Sequence, residues 1–386
     1  MTATFTVPAA IVTGAGALDS LSTHAARLGA SRALIVTDAF FAANGLATRV
    51  TALLQSVGVA VAVFSEVQPD PTVGNVEDGL IALQRHHADL VVALGGGSPI
   101  DAAKAIAARA TNAGELRGYL GGVPIPHPGV PVIAVPTTAG TGSEATNVAV
   151  ITDTARDEKM MLKDPHLLPR VALVDPALSA SMPPALTAFV GVDTLTHGIE
   201  AYVSRRATPL TDPLALSCIQ LVARHLETAF REPGNDAARA GMAIAACQGG
   251  MAFSNSSVAL VHGISRPIGA IFHVPHGLSN AVLLPTVTRY SLSGAPERYA
   301  MVARTMGFAT GRESDAAAGE ALVAGLEALN MRLDVPRLRD CRGVERERFD
   351  TLVTKMAADA LASGSPANNP VVPTAEEIVR LYRTAW

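Results

Sequence analysis

The sequence predicts an α/β domain on a Rossmann-like parallel sheet, residues 1–181, followed by an all-α domain, residues 182–386. Three observations carry that prediction. The first half repeats short, almost wholly apolar runs, each closing on a polar or glycine-rich turn. The second half replaces them with long Ala- and Leu-rich stretches whose apolar residues recur about every 3.6 positions. Between the two textures stands the pair Pro183-Pro184.

Ala33-Leu34-Ile35-Val36-Thr37 is the first clear strand and ends at Asp38; Val59 to Phe64 is a second. The periodic stretch from Val76 to His87 predicts a helix. Leu90 to Leu94 follows it and runs into Gly95-Gly96-Gly97. Val130 to Val135 leads to Pro136-Thr137-Thr138, and Val171 to Val174 ends at Asp175. Short strands without polar alternation, spaced by helices, are what a parallel sheet covered on both faces requires. Ligands of such sheets bind outside the carboxyl ends of the strands, where the glycines and hydroxyls of this chain collect. After Ser181-Met182-Pro183-Pro184 the helical pattern runs on, interrupted by turns such as Glu232-Pro233-Gly234-Asn235.

Composition narrows the function. With 386 residues, 49% hydrophobic and 17% charged, the chain holds material for large cores and little for disorder. The formal net charge is -4 and Lys and Arg are scattered singly, which argues against nucleic acid and anionic membrane as partners. Mean hydropathy is +0.30, yet no apolar run approaches membrane-spanning length. The opening MTATFTVPAA has no signal-peptide pattern. Cys218, Cys247 and Cys341 are odd in number and far apart, so a disulfide framework or thiolate zinc site is not expected. A reducing, cytoplasmic setting fits.

Gly95-Gly96-Gly97-Ser98-Pro99-Ile100-Asp101 follows a strand and opens a helix that carries Lys104. Glycines allow close backbone approach to a pyrophosphate, and a helix N-terminus offers unpaired N–H groups. The residues are therefore expected to bind a dinucleotide, with Asp101 capping the helix or orienting the loop. A tight turn without a ligand would share the local pattern. Gly14-Ala15-Gly16 lies 22 residues before Asp38 but lacks the third glycine of a dinucleotide fingerprint, and reads as a turn. Asp38 ends a strand, where its carboxylate either accepts from adenosine ribose hydroxyls or caps the next helix. Pro136-Thr137-Thr138-Ala139-Gly140-Thr141-Gly142-Ser143-Glu144 places a second loop of hydroxyls and glycines at a neighbouring strand end.

Asp193 and His197 are spaced i, i+4, with Glu200 at i+7, which puts all three on one helical face. Further on, His262, His273 and His276 fall within a single short stretch. Five of the ten histidines thus lie between residues 197 and 276, four of them (His197, His262, His273 and His276) in the two stretches just named, with glycines beside His197, His262 and His276. A carboxylate with imidazoles suits Fe²⁺, Zn²⁺, Co²⁺ or Mn²⁺.

The phrases GGGSPID, PTTAGTGSE, GVDTLTHGIEAY, VHGISRPIG and VPHGLSNAVLLP resemble those of the iron-containing (group III) alcohol dehydrogenases, near the lactaldehyde/propanediol oxidoreductase branch. The likeness runs from VTGAGAL near the N-terminus to Asn369-Pro370 and LYRTAW. It implies an N-terminal dinucleotide-binding domain, a C-terminal helical domain and an active site in the cleft between them. It also implies Fe²⁺ on Asp193, His197, His262 and His276. NAD contacts would fall on Asp38, Gly96, Gly97, Ser98, Thr137, Thr138, Thr146, Lys159 and Leu178. A homodimer is implied too. Phe253 resembles a pocket-lining aromatic, a position equally served by core packing.

One departure stands out. Many members of that family carry a second histidine four residues after the third metal ligand, assigned to the proton path or to a polar lining; here it is Arg266. Arginine is not a base at neutral pH, so either His273 takes over the relay or Arg266 holds an anionic substrate group; a structural pairing of Arg266 with a carboxylate is the third reading.

The implied reaction is hydride transfer between NAD(H) and a small alcohol or aldehyde, with the cation as Lewis acid. Rival readings are a reductase of anion-bearing aldehydes, a zinc polyol dehydrogenase and a maleylacetate reductase. A dehydroquinate synthase-type lyase and a non-catalytic nucleotide-binding regulator complete the set.

Overall fold

The structure is a computed structural model that describes residues 4–156 and 158–386. These residues form two compact units, Thr6–Ser181 and Met182–Trp386, with Thr4 and Phe5 counted in the second.

The first unit contains strands β1 (Ala10–Thr13), β2 (Arg32–Val36), β3 (Ala60–Phe64), β4 (Leu90–Gly95), β5 (Val132–Pro136), β6 (Val148–Asp153), β7 (Glu158–Lys163) and β8 (Val171–Val174). Helices α1 (Leu21–Arg27), α2 (Ala39–Ala43), α3 (Leu46–Gln55), α4 (Val73–His86) and α5 (Gly97–Arg109) fill the connections. Six strands make a parallel sheet in the order β1-β8-β5-β4-β2-β3. Its two faces bury alternate residues of each strand. Ala33, Ile35, Leu90, Val92, Leu94, Ile133 and Val135 join one core; Leu34, Val36, Val91, Ala93, Val132 and Ala134 join the other. Both faces persist because each fully buried Leu or Ile contributes roughly 1.5–3 kcal/mol. The uninterrupted apolar runs of the sequence have this cause.

Two features were not anticipated. β1 is a four-residue strand at the sheet edge, paired only with β8. β6 and β7 form a separate antiparallel hairpin. Gly14 and Gly16 do lie in a turn, both at positive φ.

Chain direction reverses across the sheet between β2 and β4, because β3 lies beyond β2 on one side while β5 lies beyond β4 on the other. Such a switch point opens a crevice outside the strand ends. Asp38 after β2 and Gly95-Gly96-Gly97 at the end of β4 flank it.

The second unit is helical: α6 (Pro184–Val203), α7 (Asp212–Arg231), α8 (Asp236–Asn255), α9 (Leu260–Phe272), α10 (His276–Ser291), α11 (Pro296–Thr305), α12 (Asp315–Arg332), α13 (Arg346–Ala362) and α14 (Ala375–Ala385). Helix α6 is buried from Gly191 to Val203 and packs against α7, α8 and α10. Small residues make that possible. A Cβ on Gly191 would sit 2.2 Å from Leu226 of α7, and one on Gly198 2.9 Å from Ile219. Where α6 begins, the buried Arg239 of α8 donates to Thr187 Oγ1 (3.0 Å) and to the Met182 carbonyl (3.4 Å). Among the described residues no helix is long and apolar enough to cross a membrane.

Candidate metal centre and cofactor loop

Helix α6 carries Asp193, His197 and Glu200 on one face, all at least 96% buried. Two other helices meet that face: α9 brings His262, and α10 begins with His276. The three imidazole Nε2 atoms stand around one carboxylate oxygen. Asp193 Oδ1 is 3.8 Å from His197, 3.5 Å from His262 and 3.8 Å from His276. Donors bound at about 2.1 Å in a tetrahedral site stand roughly 3.4 Å apart, so the spacings from Asp193 suit donors that share one divalent cation, with His197 outside the tightest set of three. The ligand atoms of Asp193, His262 and His276 all lie within 4.8 Å of one another. The donor set, one carboxylate and three imidazoles, matches Fe²⁺ and tolerates Zn²⁺ or Mn²⁺.

Glu200 has a role that the sequence reading left unassigned. Its carboxylate accepts from the amides of Ala259 (2.8 Å) and Val261 (2.5 Å) and lies 2.7 Å from His262 Nδ1. With Nδ1–H donated to Glu200, Nε2 is the nitrogen that faces Asp193 and the one that would ligate a cation once its proton is given up. A carboxylate behind a ligating histidine orients the ring and raises its basicity. Burial opposes charge on His262, but the Asp193 and Glu200 carboxylates outweigh it and push the imidazole up to about 9. Burial likewise opposes charge on Asp193, and the surrounding histidines overcome it, holding the carboxyl well below its usual range.

His276 is the solvent-facing member, with its side chain 38% exposed against 5% or less for the others. Phe253 stacks on His197 with centroids 4.4 Å apart. Of the two readings of Phe253, pocket lining and core packing, this contact places it against the candidate ligand His197. Asn280, one turn after His276 on α10, was missed. Its amide nitrogen is 2.7 Å from Asp193 Oδ1 and 3.2 Å from Nε2 of both His262 and His276. The i, i+4 spacing to His276 was the available signal.

The structure places the two residues that the departure at position 266 brought forward, His273 for a relay and Arg266 for an anion clamp. His273 follows α9 at φ 56°, with its residue exposed and its backbone N–H bonded to Gly269. No hydrogen bond links its ring to the ligand set among the described residues, because the left-handed turn that ends α9 carries it to the surface. Arg266 donates to Ser365 Oγ at 2.9 Å. Burial draws its guanidinium down from the usual range and Glu200 acts in the opposite sense.

In the other unit, α5 starts at Gly97 with Gly96 as N-cap and no side-chain cap. Asp101 is thus not a cap. It orients the loops, with Oδ1 accepting from Ser143 Oγ (2.5 Å) and Oδ2 from the Val150 amide (2.9 Å). The loops touch closely. A Cβ on Gly97 would lie 2.8 Å from Thr141 Cγ2, and one on Gly96 3.2 Å from Thr138. Gly95 adopts φ 146°, open only to glycine, and a Cβ there would strike Pro99 at 2.5 Å. Ser98 is in the first turn of α5, half-buried like Thr138. Thr137 is 1% exposed and its Oγ1 has no hydrogen-bond partner among the described residues.

Beneath the loops Lys104 is fully buried and donates to Ser143 Oγ (2.8 Å), Thr146 Oγ1 (3.0 Å) and the Val148 carbonyl (2.9 Å). Burial lowers it to about 8 and raises neighbouring Glu144 to about 7. Three expected cofactor contacts are otherwise engaged: Thr146 in this network, Lys159 with Asp70 at 2.7 Å, and Leu178 in the core behind the sheet. Asp38 caps α2 by accepting from the Phe41 amide.

A glycine turn at a parallel-sheet switch point, in a chain that also gathers a carboxylate and three imidazoles, fits the class of metal-dependent, dinucleotide-binding enzymes. Sequence and structure comparisons supply the family. Residues 8–176 match the iron-containing alcohol dehydrogenase domain, and residues 187–386 the C-terminal domain of the Fe-containing alcohol dehydrogenase family. The chain is 39% identical to an NAD-dependent methanol dehydrogenase of Bacillus methanolicus over 99% of both chains. It is 40% identical to a lactaldehyde reductase of Escherichia coli over 97% of both. The crystal structure of a 1,3-propanediol oxidoreductase superposes with a TM-score of 0.96 at 38% identity, covering 100% of both chains. The protein belongs to the iron-containing alcohol dehydrogenase family and is an alcohol–aldehyde oxidoreductase.

Proposed function

We propose that this protein is an NAD-linked alcohol dehydrogenase and aldehyde reductase for small, uncharged substrates, with its divalent cation on Asp193, His197, His262 and His276. One observation carries the metal assignment: three imidazole nitrogens stand 3.5–3.8 Å from a single carboxylate oxygen. A cation there supplies Lewis acidity toward the substrate oxygen, and NAD supplies the hydride chemistry.

The chain's own residues do the rest. Asp193 brings charge to the cation site, and Glu200 keeps His262 Nε2 turned to it. The exposure of His276 marks the side from which a small substrate reaches the site. For the dinucleotide, Gly96, Gly97 and Ser98 at the head of α5 offer backbone donors to the pyrophosphate, with Thr137 and Thr138 beside them. Asp38 can accept from ribose hydroxyls with the oxygen not given to Phe41. The internal bonds of Asp101 and Thr146 make them supports of this surface, and Leu178 supports it from the core.

The relatives at 38–40% identity are named for methanol, lactaldehyde and 1,3-propanediol, which favours uncharged substrates, although a structure at 30% identity is a sulfoacetaldehyde reductase. Family likeness also supports a cytoplasmic homodimer, and Cys218, Cys247 and Cys341 form no disulfide. The test is NADH formation with methanol, 1,2-propanediol, 1,3-propanediol or butanol by Fe²⁺-loaded protein, with light scattering for the dimer. Full turnover by metal-free His262→Ala protein would refute the assignment.

A further inference from the structure

We infer that Asn280 is a positioning residue for the metal centre, holding the Asp193 carboxylate in ligand register before and after a cation binds. The inference rests on the reading that Asp193, His197, His262 and His276 are the ligands.

The Asn280 side chain is fully buried, and its amide nitrogen lies over the triangle formed by Asp193 Oδ1, His262 Nε2 and His276 Nε2, at 2.7, 3.2 and 3.2 Å. The orientation follows from the chemistry of the neighbours. An ionised carboxylate only accepts, so the group facing Asp193 Oδ1 at 2.7 Å is the NH₂ rather than the carbonyl. The shortest contact is to Asp193 Oδ1, the oxygen around which all three imidazoles stand. Asn280 Oδ1 has no hydrogen-bond partner among the described residues. The amide is thus oriented by its donor end alone, although this leaves a buried acceptor unmatched.

The bond has a consequence for metal binding. A carboxylate with two free torsions would sample other rotamers in a metal-free site. A donor at 2.7 Å from a rigid helix selects one of them. Asn280 sits on α10 one turn from His276, so one helix fixes both a ligand and the orientation of the carboxylate opposite. The NH₂ has two hydrogens, so with one given to Asp193 the other is left to face one of the two imidazoles while no cation is bound. A bound cation would take up the imidazole nitrogens, which would leave the bond to Asp193 as the contact by which Asn280 acts.

The experiment compares wild type, Asn280→Leu and Asn280→Ser, with fold verified by circular dichroism. Leu keeps the volume without a donor; Ser keeps a donor in a smaller side chain. Co²⁺ affinity is measured by competition with a chromophoric chelator, and the visible d–d bands of the Co²⁺ proteins are recorded. Asn280→Leu is expected to lose about 10- to 100-fold in affinity, the usual effect of removing a group that orients a ligand, with shifted bands. Asn280→Ser is expected to lose distinctly less. Equal losses in the two variants would assign the effect to packing and overturn the inference. So would Leu affinity within about threefold of wild type with unchanged bands. Failure of the wild type to bind one Co²⁺ per chain would instead overturn the metal-centre reading itself.

Discussion

Glu200 Oε2 lies 2.7 Å from His262 Nδ1, and the same carboxylate receives the amides of Ala259 and Val261 just ahead of that histidine. One side chain of α6 thus sets both the start of α9 and the direction of a ligand it carries. Glu200→Gln is expected to lower metal affinity about 10- to 100-fold, measured by chelator competition. Glu200→Ala also strands two buried amides at about 1–3 kcal/mol each. Its urea midpoint is expected to fall well below that of Glu200→Gln.

Cofactor and metal binding should separate cleanly in Gly97→Ala. The new Cβ meets Thr141 at 2.8 Å, forcing apart the two loops proposed to hold the pyrophosphate. NADH affinity, followed by fluorescence titration, is expected to drop at least ~10-fold, given the close backbone approach such loops require. Metal content should match wild type.

Burial raises Glu144 from 4.5 to about 7. Its folded-state pKa exceeds the unfolded value, so its contribution to stability is complete below pH 4.5 and is lost as pH rises through about 7. Glu144→Gln removes that dependence. The stability of the variant relative to wild type is expected to rise between pH 5 and 8 by up to roughly 3 kcal/mol, at 1.36 kcal/mol per pKa unit. Urea unfolding at a series of pH values checks the sign.

Arg266 is bonded to Ser365 and lies within the electrostatic reach of Glu200. Arg266→Ala is therefore expected to reduce kcat/KM for neutral and for carboxylate-bearing aldehydes alike, through loss of support around α9. A selective loss on the anionic aldehyde would revive the clamp reading.

Much of the first unit was readable because a parallel sheet buried on both faces leaves no polar alternation. The runs at Ala33–Thr37, Val59–Phe64, Leu90–Leu94, Val130–Val135 and Val171–Val174 stand out against their turns for that reason. β1 escaped because its four residues are only partly buried, and edge pairing with a strand about 160 positions away leaves no local trace. The β6–β7 hairpin alternates buried and half-buried residues, a weaker signal than a continuous apolar run. At the metal site the i, i+4 pair Asp193 and His197 was visible, since a helix fixes which residues share a face. Asn280 was not distinguished, because an asparagine in a helix is more often a surface residue.

By itself the chain's order of residues settled where polarity and glycine interrupt apolar periodicity. It also settled which donor types exist, and that two segments are rich in metal-ligating side chains. Tertiary packing alone decided which of them meet. His262 and His276 reach Asp193 while His273, between them in sequence, is turned outward by the left-handed residue that ends α9. Side-chain direction depends on helix rotation and on the small residues that let α6 approach its neighbours, and both are long-range consequences of burial.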